Sequence, residues 1–351
     1  ASGTVALSAF TTKLAVYCLA RAFAGTEYLL WIGAVMTAFP IFFAVIENDL
    51  RRVLSYSLNN QLGFMVVGIG IGTPLALNGT AAHAFCHILY KALLFMSMGA
   101  VLHRIGTTKA SELGGLAKSM PWTAAFCIIG AASISAVPLF SGFVSKGIIL
   151  FAVAEEGYWL LWLVLLFASA GVLDHSGIKV PFFSFFAHDQ GLRCQEAPKN
   201  MLLAMGITAA ACIGIGVAPD LLYALLPNSM EFHPYTWDHT ITQLQLLFFA
   251  GLGFVLLYVN GWYPAEIRAL NLDSDWFYRK PLRSLAGVGL KAFNSSSTGW
   301  QNLRSQTARK LVDIAYHSNG PRSQLARGIT VSSMVLIVSI LLSCTLLFYY
   351  L

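Results

Sequence analysis

The chain has 351 residues, of which 57% are hydrophobic and only 11% are charged, and its mean hydropathy is +0.67. Soluble domains carry about 25% charged residues, so this composition excludes an ordinary soluble domain and predicts an integral membrane protein. The net charge of +6 is then first a signal of membrane topology rather than of nucleic-acid binding.

Nine segments are long and apolar enough to cross a membrane, which takes about 20 residues. They lie at about 5–24, 28–46, 55–76, 80–103, 121–154, 158–186, 200–226, 241–259 and 328–350. The fifth segment is too long for one span and contains SAVPLFSGFVSKG, so we expect Pro138, Ser141, Gly142 and Gly147 to break it into two half-helices. The fold class predicted is an all-α, polytopic bundle with one discontinuous helix.

The chain divides into four predicted regions. They are a transmembrane bundle over 1–226, an additional span in 227–260, a polar loop over 261–327 and a last span in 328–351. The polar loop is expected to be a solvated tether. Residues 308–315 are a candidate amphipathic helix, and Ser295 to Ser297 are a candidate linker.

Basic residues follow every second predicted span. Seventeen of the 22 lysines and arginines come after the second, fourth, sixth and eighth spans. The positive-inside rule places those loops in the cytoplasm. We therefore predict a multi-pass protein of the inner (cytoplasmic) membrane of a prokaryote. The chain starts at Ala1 and shows no signal peptide, so we expect processing or the later part of a longer protein.

Four lysines lie inside the predicted spans, namely Lys13, Lys91, Lys146 and Lys179. Each costs roughly 2.5–3.5 kcal/mol near the bilayer centre, so all four must face the interior of the bundle and find partners. Asp174 is the one carboxylate clearly inside a span. Some lysines must therefore be neutral, share protons through water, or pair with carboxylates outside this sequence.

The fourth span carries three ionisable residues on one face. In HAFCHILYKALLF, His83, His87 and Lys91 stand four residues apart, which places them on a stripe roughly 12 Å long. Histidine titrates nearest to physiological pH, so two imidazoles and an amine with water between them can carry a proton. The alternative is that the histidines bond to nearby backbone groups. We predict the relay because three such residues share one stripe.

Five further residues extend the prediction. Lys146 follows the expected break, where it can reach freed carbonyl groups and a water cavity; the alternative is a lysine that extends to the membrane interface. Lys13 lies mid-span beside two threonines. Asp174, His175 and Lys179 share the sixth span, and they either extend the relay or form an internal ion pair.

Other chemistries lack their sequence signals. The chain has no P-loop, no HExxH motif and no CxxC pair. Its six cysteines are expected to be small buried hydrophobic residues. We therefore expect no catalytic residue, no metal site and no bound cofactor.

Five segments resemble the antiporter-like membrane subunits shared by respiratory complex I and the Mrp-type Na+/H+ antiporters, with the D-type Mrp subunit as the nearest type. They are SAFTTKLAVYCLARAF, ENDLRRVLSYSLNNQLGFM, AAHAFCHILYKALLFMSMGAVLH, ELGGLAKSMP and SAVPLFSGFVSKGIIL, within residues 1–155. The resemblance implies two inverted five-helix repeats in about fourteen spans, of which this chain would hold the second repeat. The family's fifth-span glutamate and seventh-span lysine would lie before Ala1.

The resemblance also assigns roles. Lys13 takes the place of the eighth-span lysine. His83, His87 and Lys91 match the eleventh-span residues that link two half-channels, and Lys146 matches the charged residue at the break of the twelfth span. The implied function is a proton-translocating subunit of a multisubunit Na+/H+ antiporter. Its implied partners are other membrane subunits, the lipid bilayer, H+ and Na+, and no nucleic acid.

Several alternatives remain open at this point. The same type of subunit serves proton pumps driven by NADH or another electron donor, and a carbon-uptake complex is a third possibility. A lipid-modifying membrane enzyme predicts polar residues clustered near one membrane face. A purely structural scaffold leaves four buried lysines unexplained.

Overall fold

The computed structural model describes residues 2–267, 275–295, 309–314 and 330–350, and within these ranges it contains no β-strand. The chain forms two compact units, Ala1–Ala269 and Leu270–Leu351. The longer helices of the first unit are α1 (Ser2–Phe23), α2 (Glu27–Ile46), α3 (Leu50–Ile71), α4 (Pro74–Ile105), α5 (Pro121–Ile134), α6 (Ser141–Glu155), α7 (Trp159–Phe186), α8 (Lys199–Val217) and α9 (Trp237–Val259).

The second unit contains α10 (Pro281–Ser295), α11 (Val331–Tyr350) and two short helices, Asp275–Arg279 and 309–314. Helix α10 lies in the region expected to be a tether. Its proline stands at the first helical position, where a missing N–H costs nothing. Residues 309–314 fall inside the predicted amphipathic helix. Residues 296 and 297 of the predicted linker, and 308 and 315 of the predicted helix, lie outside the described residues.

Seven of the described helices are long and apolar enough to span a membrane. They coincide with seven of the nine predicted segments, and they confirm an all-α, multi-pass membrane protein. The third and fifth predicted segments are not among these seven helices. The third segment corresponds to helix α3, which has 22 residues but carries a polar stretch, Ser55 to Gln61. The fifth segment is the interrupted pair α5 and α6.

Two predicted boundaries were wrong because local stop signals outweigh hydropathy. The third segment was expected to run to residue 76, but α3 ends at Ile71 and Gly72 turns the chain with φ 75°. The Thr73 side chain then caps α4, whose first residue is Pro74. The seventh segment was expected to reach residue 226, but α8 ends at Val217, just before Pro219.

The interruption between α5 and α6 spans residues 135–140. Two non-glycine residues there, Ala136 and Leu139, have positive φ angles of 59° and 73°, a conformation that costs free energy and clusters at functional sites. Gly142 follows, and a Cβ there would overlap the Ser133 carbonyl oxygen. Gly147, expected to contribute to the break, lies inside α6.

Contacts between loops define two ends of the first unit. At the end that we call the basic end, Asp49 forms a β-bridge with Lys109, and Lys118 forms an ion pair with Asp189. At the opposite end, Gly25 N donates to Ile69 O at 2.9 Å. Asn78 also bonds there to the 224–236 segment through Asn228. The helices therefore alternate in direction, as the basic loops predict.

Helix α4 is the centre of the bundle. It packs against α3, α5, α6 and α8, and most of its middle residues are buried. A 32-residue helix is about 48 Å long, so its midpoint, near His87 and Lys91, is far from both ends. The polar stripe of α4 is thereby enclosed by protein on every side, and His83, His87 and Lys91 have no exposed surface.

Candidate functional site

The first contact of the site joins α1 to α4. A π-helical segment, Leu7–Thr11, precedes Lys13, and such segments occur often at functional sites. The Lys13 ammonium donates to Ser8 O at 2.9 Å and lies 2.5 Å from Nδ1 of His87. With Lys13 charged, Nδ1 must accept, so the His87 proton sits on Nε2. That nitrogen is buried and has no hydrogen-bond partner among the described residues.

His83 is the junction between α4 and the broken helix. The His83 and His87 rings lie with their centroids 6.3 Å apart. His83 Nδ1 lies 3.3 Å from Ser145 Oγ, next to Lys146 in sequence. On its other side, Nε2 lies 3.5 Å from the Tyr90 hydroxyl, which donates to Gln61 Oε1 at 3.2 Å.

Lys91 is one turn further along the α4 stripe. Its side chain is fully buried, and its ammonium donates to Ser57 Oγ of α3 at 2.8 Å. Burial of a charge costs several kcal/mol unless hydrogen bonds compensate it. The Ser57 hydroxyl therefore stabilises the protonated form of Lys91.

Lys146 lies in the second turn of α6, and its side chain reaches back to the interruption of the fifth predicted span. Its ammonium donates to Ile134 O, a carbonyl freed at the end of α5, at 3.0 Å, and to Ser169 Oγ of α7 at 3.4 Å. It also lies 5.3 Å from the centre of the Phe64 ring, within range of a cation–π contact. Lys146 is 1% exposed and faces the bundle interior, not the membrane interface.

Asp174, His175 and Lys179 lie along α7, the first two within a second π-helical segment, Leu173–Ile178. Lys179 donates to Val45 O at 2.6 Å and to Glu47 O at 2.8 Å at the end of α2. Its ion-pair partner, at 2.8 Å, is Glu266, in the segment after α9. Lys179 therefore forms its ion pair with Glu266 and not with Asp174, the partner considered from sequence.

The Glu266 carboxyl of this ion pair is largely buried, since its side chain is only 8% exposed. Burial raises the pKa of the Glu266 carboxyl above its usual value, and the charge and hydrogen bond of Lys179 oppose that shift. Asp174 Oδ1 and His175 Nε2 are buried without hydrogen-bond partners in the part of the chain that the structure describes.

Several side-chain partners of the site escaped the sequence prediction, among them Ser57, Gln61, Tyr90, Ser145, Ser169 and Glu266. The polar stretch SYSLNNQ in α3 is the one signal that points to two of them. A buried amide is expensive in an apolar helix, so that stretch had to face other polar groups.

The side chains of this arrangement are of the types that can pass protons to one another. Amine, imidazole and hydroxyl groups within hydrogen-bond distance exchange protons without forming or breaking other covalent bonds. Among the described residues, no group of three or more His, Cys, Asp or Glu side chains is placed to hold a metal ion.

Residues 1–172 match the family model described as NADH:quinone oxidoreductase/Mrp antiporter, TM. The chain is 31% identical over 214 residues to hydrogenase-4 component B of Escherichia coli (strain K12), covering 54% of this chain and 32% of that protein. It is 33% identical over 225 residues to the D-type subunit of a Na(+)/H(+) antiporter of Alkalihalophilus pseudofirmus, covering 60% and 45%. A chain of the Mrp complex from Dietzia sp. DQ12-45-1b has a similar fold, with a TM-score of 0.62 and 22% identity over 89% of this chain and 36% of that one.

The chain spans less than half the length of each of these relatives. At 22% identity, the structural likeness speaks for the fold alone. The family match covers the helices that hold Lys13, the α4 stripe and Lys146. The relatives include an antiporter subunit and a hydrogenase component, so they establish the type of subunit and not the driving reaction. Residues 1–172 of the chain belong to the NADH:quinone oxidoreductase/Mrp antiporter family of membrane subunits.

Proposed function

We propose that this chain carries protons through the membrane by a relay of buried lysine and histidine side chains, joined by water. The relay residues are Lys13, His87, His83, Lys91 and Lys146. The observation that carries the proposal is the series of contacts from Lys13 through the two histidines to Ser145, which adjoins Lys146. A change in the charge of one member alters the proton affinity of its neighbours, which couples their titrations.

Within this class, we propose a component of a Na+/H+ antiporter similar to the D-type Mrp subunit. The 33% identity to an antiporter protein of that type supports this choice. The second candidate is a proton-pumping subunit of a complex driven by a redox reaction, which the similarity to a hydrogenase component favours. In both cases the chain itself performs no covalent chemistry.

The depth of the polar groups supports transport over the rival functions. Lys13 lies near the middle of α1, and His87 and Lys91 lie near the middle of α4. A lipid-modifying enzyme needs its polar residues close to one membrane face. A structural scaffold has no use for buried lysines, each of which is costly.

The orientation and partners follow as part of the proposal. The basic end carries the loops that the positive-inside rule assigns to the cytoplasm, so we place it there, in the inner membrane of a prokaryote. The partners we propose are other membrane subunits of a hetero-oligomeric complex.

The test uses the full-length protein in its assembled complex, reconstituted in vesicles with a fluorescent pH probe. We expect Lys91→Ala and Lys146→Ala to abolish the pH gradient, while Lys118→Ala, an exposed lysine of the basic end, leaves it intact. Driving the vesicles with a Na+ gradient or with an electron donor separates the two candidate functions. Normal gradients in both buried-lysine variants would remove the relay.

A further inference from the structure

A cavity of about 470 Å³ opens at the opposite end of the first unit, between α6, α7 and the start of α9. We call it the vestibule. Its polar lining includes the acidic residues Glu231 and Asp238 and the histidines His233 and His239, and Gly147 of α6 also lines it. An acidic mouth raises the local concentration of cations, including protons. The vestibule therefore offers aqueous access to the broken helix from that end.

His239 is fixed in position at the inner wall of the vestibule. Its ring stacks on Phe143 of α6, with centroids 4.4 Å apart and planes 19° apart. Its Nδ1 lies 2.7 Å from the carbonyl oxygen of Pro234. A carbonyl can only accept a hydrogen bond, so Nδ1 carries the proton and Nε2 is left with a lone pair. The imidazole is thus held as a proton acceptor.

The free nitrogen of His239 lies beside Gly147, in the half-helix α6 that follows the break. A Cβ placed on Gly147 would lie 2.7 Å from Nε2 and 2.6 Å from Cε1 of His239, so the glycine makes room for the ring. Gly147 is the residue after Lys146. The ring edge that carries this lone pair therefore lies against the backbone of the helix that carries the buried lysine.

A second residue of α9 connects the vestibule to the acceptor of Lys146. Gln243 lines the vestibule and donates to Ser135 O at 3.3 Å. The neighbouring carbonyl, Ile134 O, accepts from Lys146. Two adjacent carbonyls at the end of α5 are thus shared between the vestibule wall and the relay lysine, and water along this wall can join them.

We propose that His239 exchanges protons between the broken helix and the vestibule, and that α9 thereby supplies the access path of the opposite end. This inference rests on the proposed relay. His239 Nε2 takes a proton that a water relays from the Lys146 ammonium and passes it to a vestibule water, which leaves Lys146 neutral and regenerates neutral His239. The same steps run in reverse for entry. Helix α9 lies beyond residues 1–172, which the family model matches.

The first test is accessibility, which does not depend on transport. Thr242→Cys places a thiol in the vestibule, and Phe249→Cys on the same helix places one on an outward-facing apolar position that is 65% exposed. In sealed vesicles, a membrane-impermeant thiol reagent should label Thr242→Cys from the opposite end and not from the basic end. The labelling of the parent protein, which has its own cysteines, is subtracted. If both variants are labelled equally weakly from the opposite end, the vestibule does not open to water there and the inference is overturned.

The second test measures proton flux in the full-length protein within its complex. We expect His239→Ala to slow the flux by at least about tenfold and free imidazole, which the cavity can admit, to restore it. Gly147→Ala should cause a similar loss, because its methyl group displaces the His239 ring. Gly253→Ala on α9, whose added Cβ meets nothing within 4 Å, should have parental flux.

The outcomes separate this inference from the relay itself. Normal flux in His239→Ala and Gly147→Ala, with Lys91→Ala inactive, overturns the role of His239 and keeps the relay. A loss in His239→Ala that imidazole does not restore, with normal flux in Gly147→Ala, indicates a structural role and also overturns it. Normal flux in Lys91→Ala overturns the relay instead. If His239→Ala does not assemble, Gly147→Ala decides the question with the histidine intact.

Discussion

Removal of the Ser57 hydroxyl is the sharpest single perturbation of the relay. The Lys91 ammonium is fully buried and donates to Ser57 Oγ at 2.8 Å. A hydrogen bond to a charged group contributes about 1.5–3 kcal/mol. Ser57→Ala therefore raises the free energy of the state in which Lys91 holds the proton by about that amount. Since 1.36 kcal/mol corresponds to a tenfold change in rate, we expect the flux to fall about 10- to 150-fold.

The matched control is Ser97→Ala on α4. Ser97 is also buried, but its hydroxyl donates to Leu93 O of its own helix at 2.8 Å and does not contact the relay. Both variants lose one buried hydroxyl, so their effects on folding should be comparable. The assay is the initial rate of pH change in vesicles, normalised to assembled complex. Equal rates for Ser57→Ala and Ser97→Ala refute the role assigned to the Lys91–Ser57 contact.

Three further predictions concern the basic end. Glu196→Ala removes the carboxylate that accepts hydrogen bonds from Thr123 Oγ1 and from Trp122 N at the start of α5. The melting temperature should fall by the equivalent of about 1 kcal/mol, while the proton flux per assembled complex stays unchanged. A variant that is stable but inactive contradicts this prediction. Lys179→Met leaves Glu266 buried without its cation and should lower the free energy of unfolding by about 3–5 kcal/mol. The double variant Lys179→Met/Glu266→Gln should recover much of that loss. If the losses of the two single variants simply add in the double variant, the pairing is contradicted. Arg193 and Lys118 hold the pKa of Asp189 well below its usual value, so Asp189→Asn should speed hydrogen exchange in residues 187–198 at pH 7. Because that pKa is depressed, the stabilisation is present above about pH 3.9 and is lost as pH falls, so the parent and variant should converge in acid; a constant difference contradicts the ion pairs.

The large features of the fold follow from hydropathy and charge. Apolar length located seven spanning helices, and Pro138 with its neighbours marked the interruption between α5 and α6. The turn at Gly72 and Thr73 was missed because two apolar helices flank only two residues. Hydropathy averages over about 20 residues, whereas a left-handed glycine and a capping threonine act on one peptide each.

The ionisable side chains of the site were predictable because lysine and histidine are rare in membrane helices. Their partners were not, since Ser57 and Ser145 are common in such helices and gain meaning only from the lysine or histidine that they face. Nothing in the sequence around Glu266 marked it as the partner of Lys179. It follows α9 in a polar segment, and only tertiary packing brings it to Lys179. His239 was missed for the same reason, because α9 reaches α6 across the bundle.

The most direct test of the relay is a cryo-EM map of the assembled, full-length complex in lipid, at a resolution that shows ordered water. The account predicts waters that join His87, Lys91 and Lys146 into one connected path at the middle depth of the membrane. A dry interior, with the lysines separated by packed apolar side chains and no water between them, would contradict it.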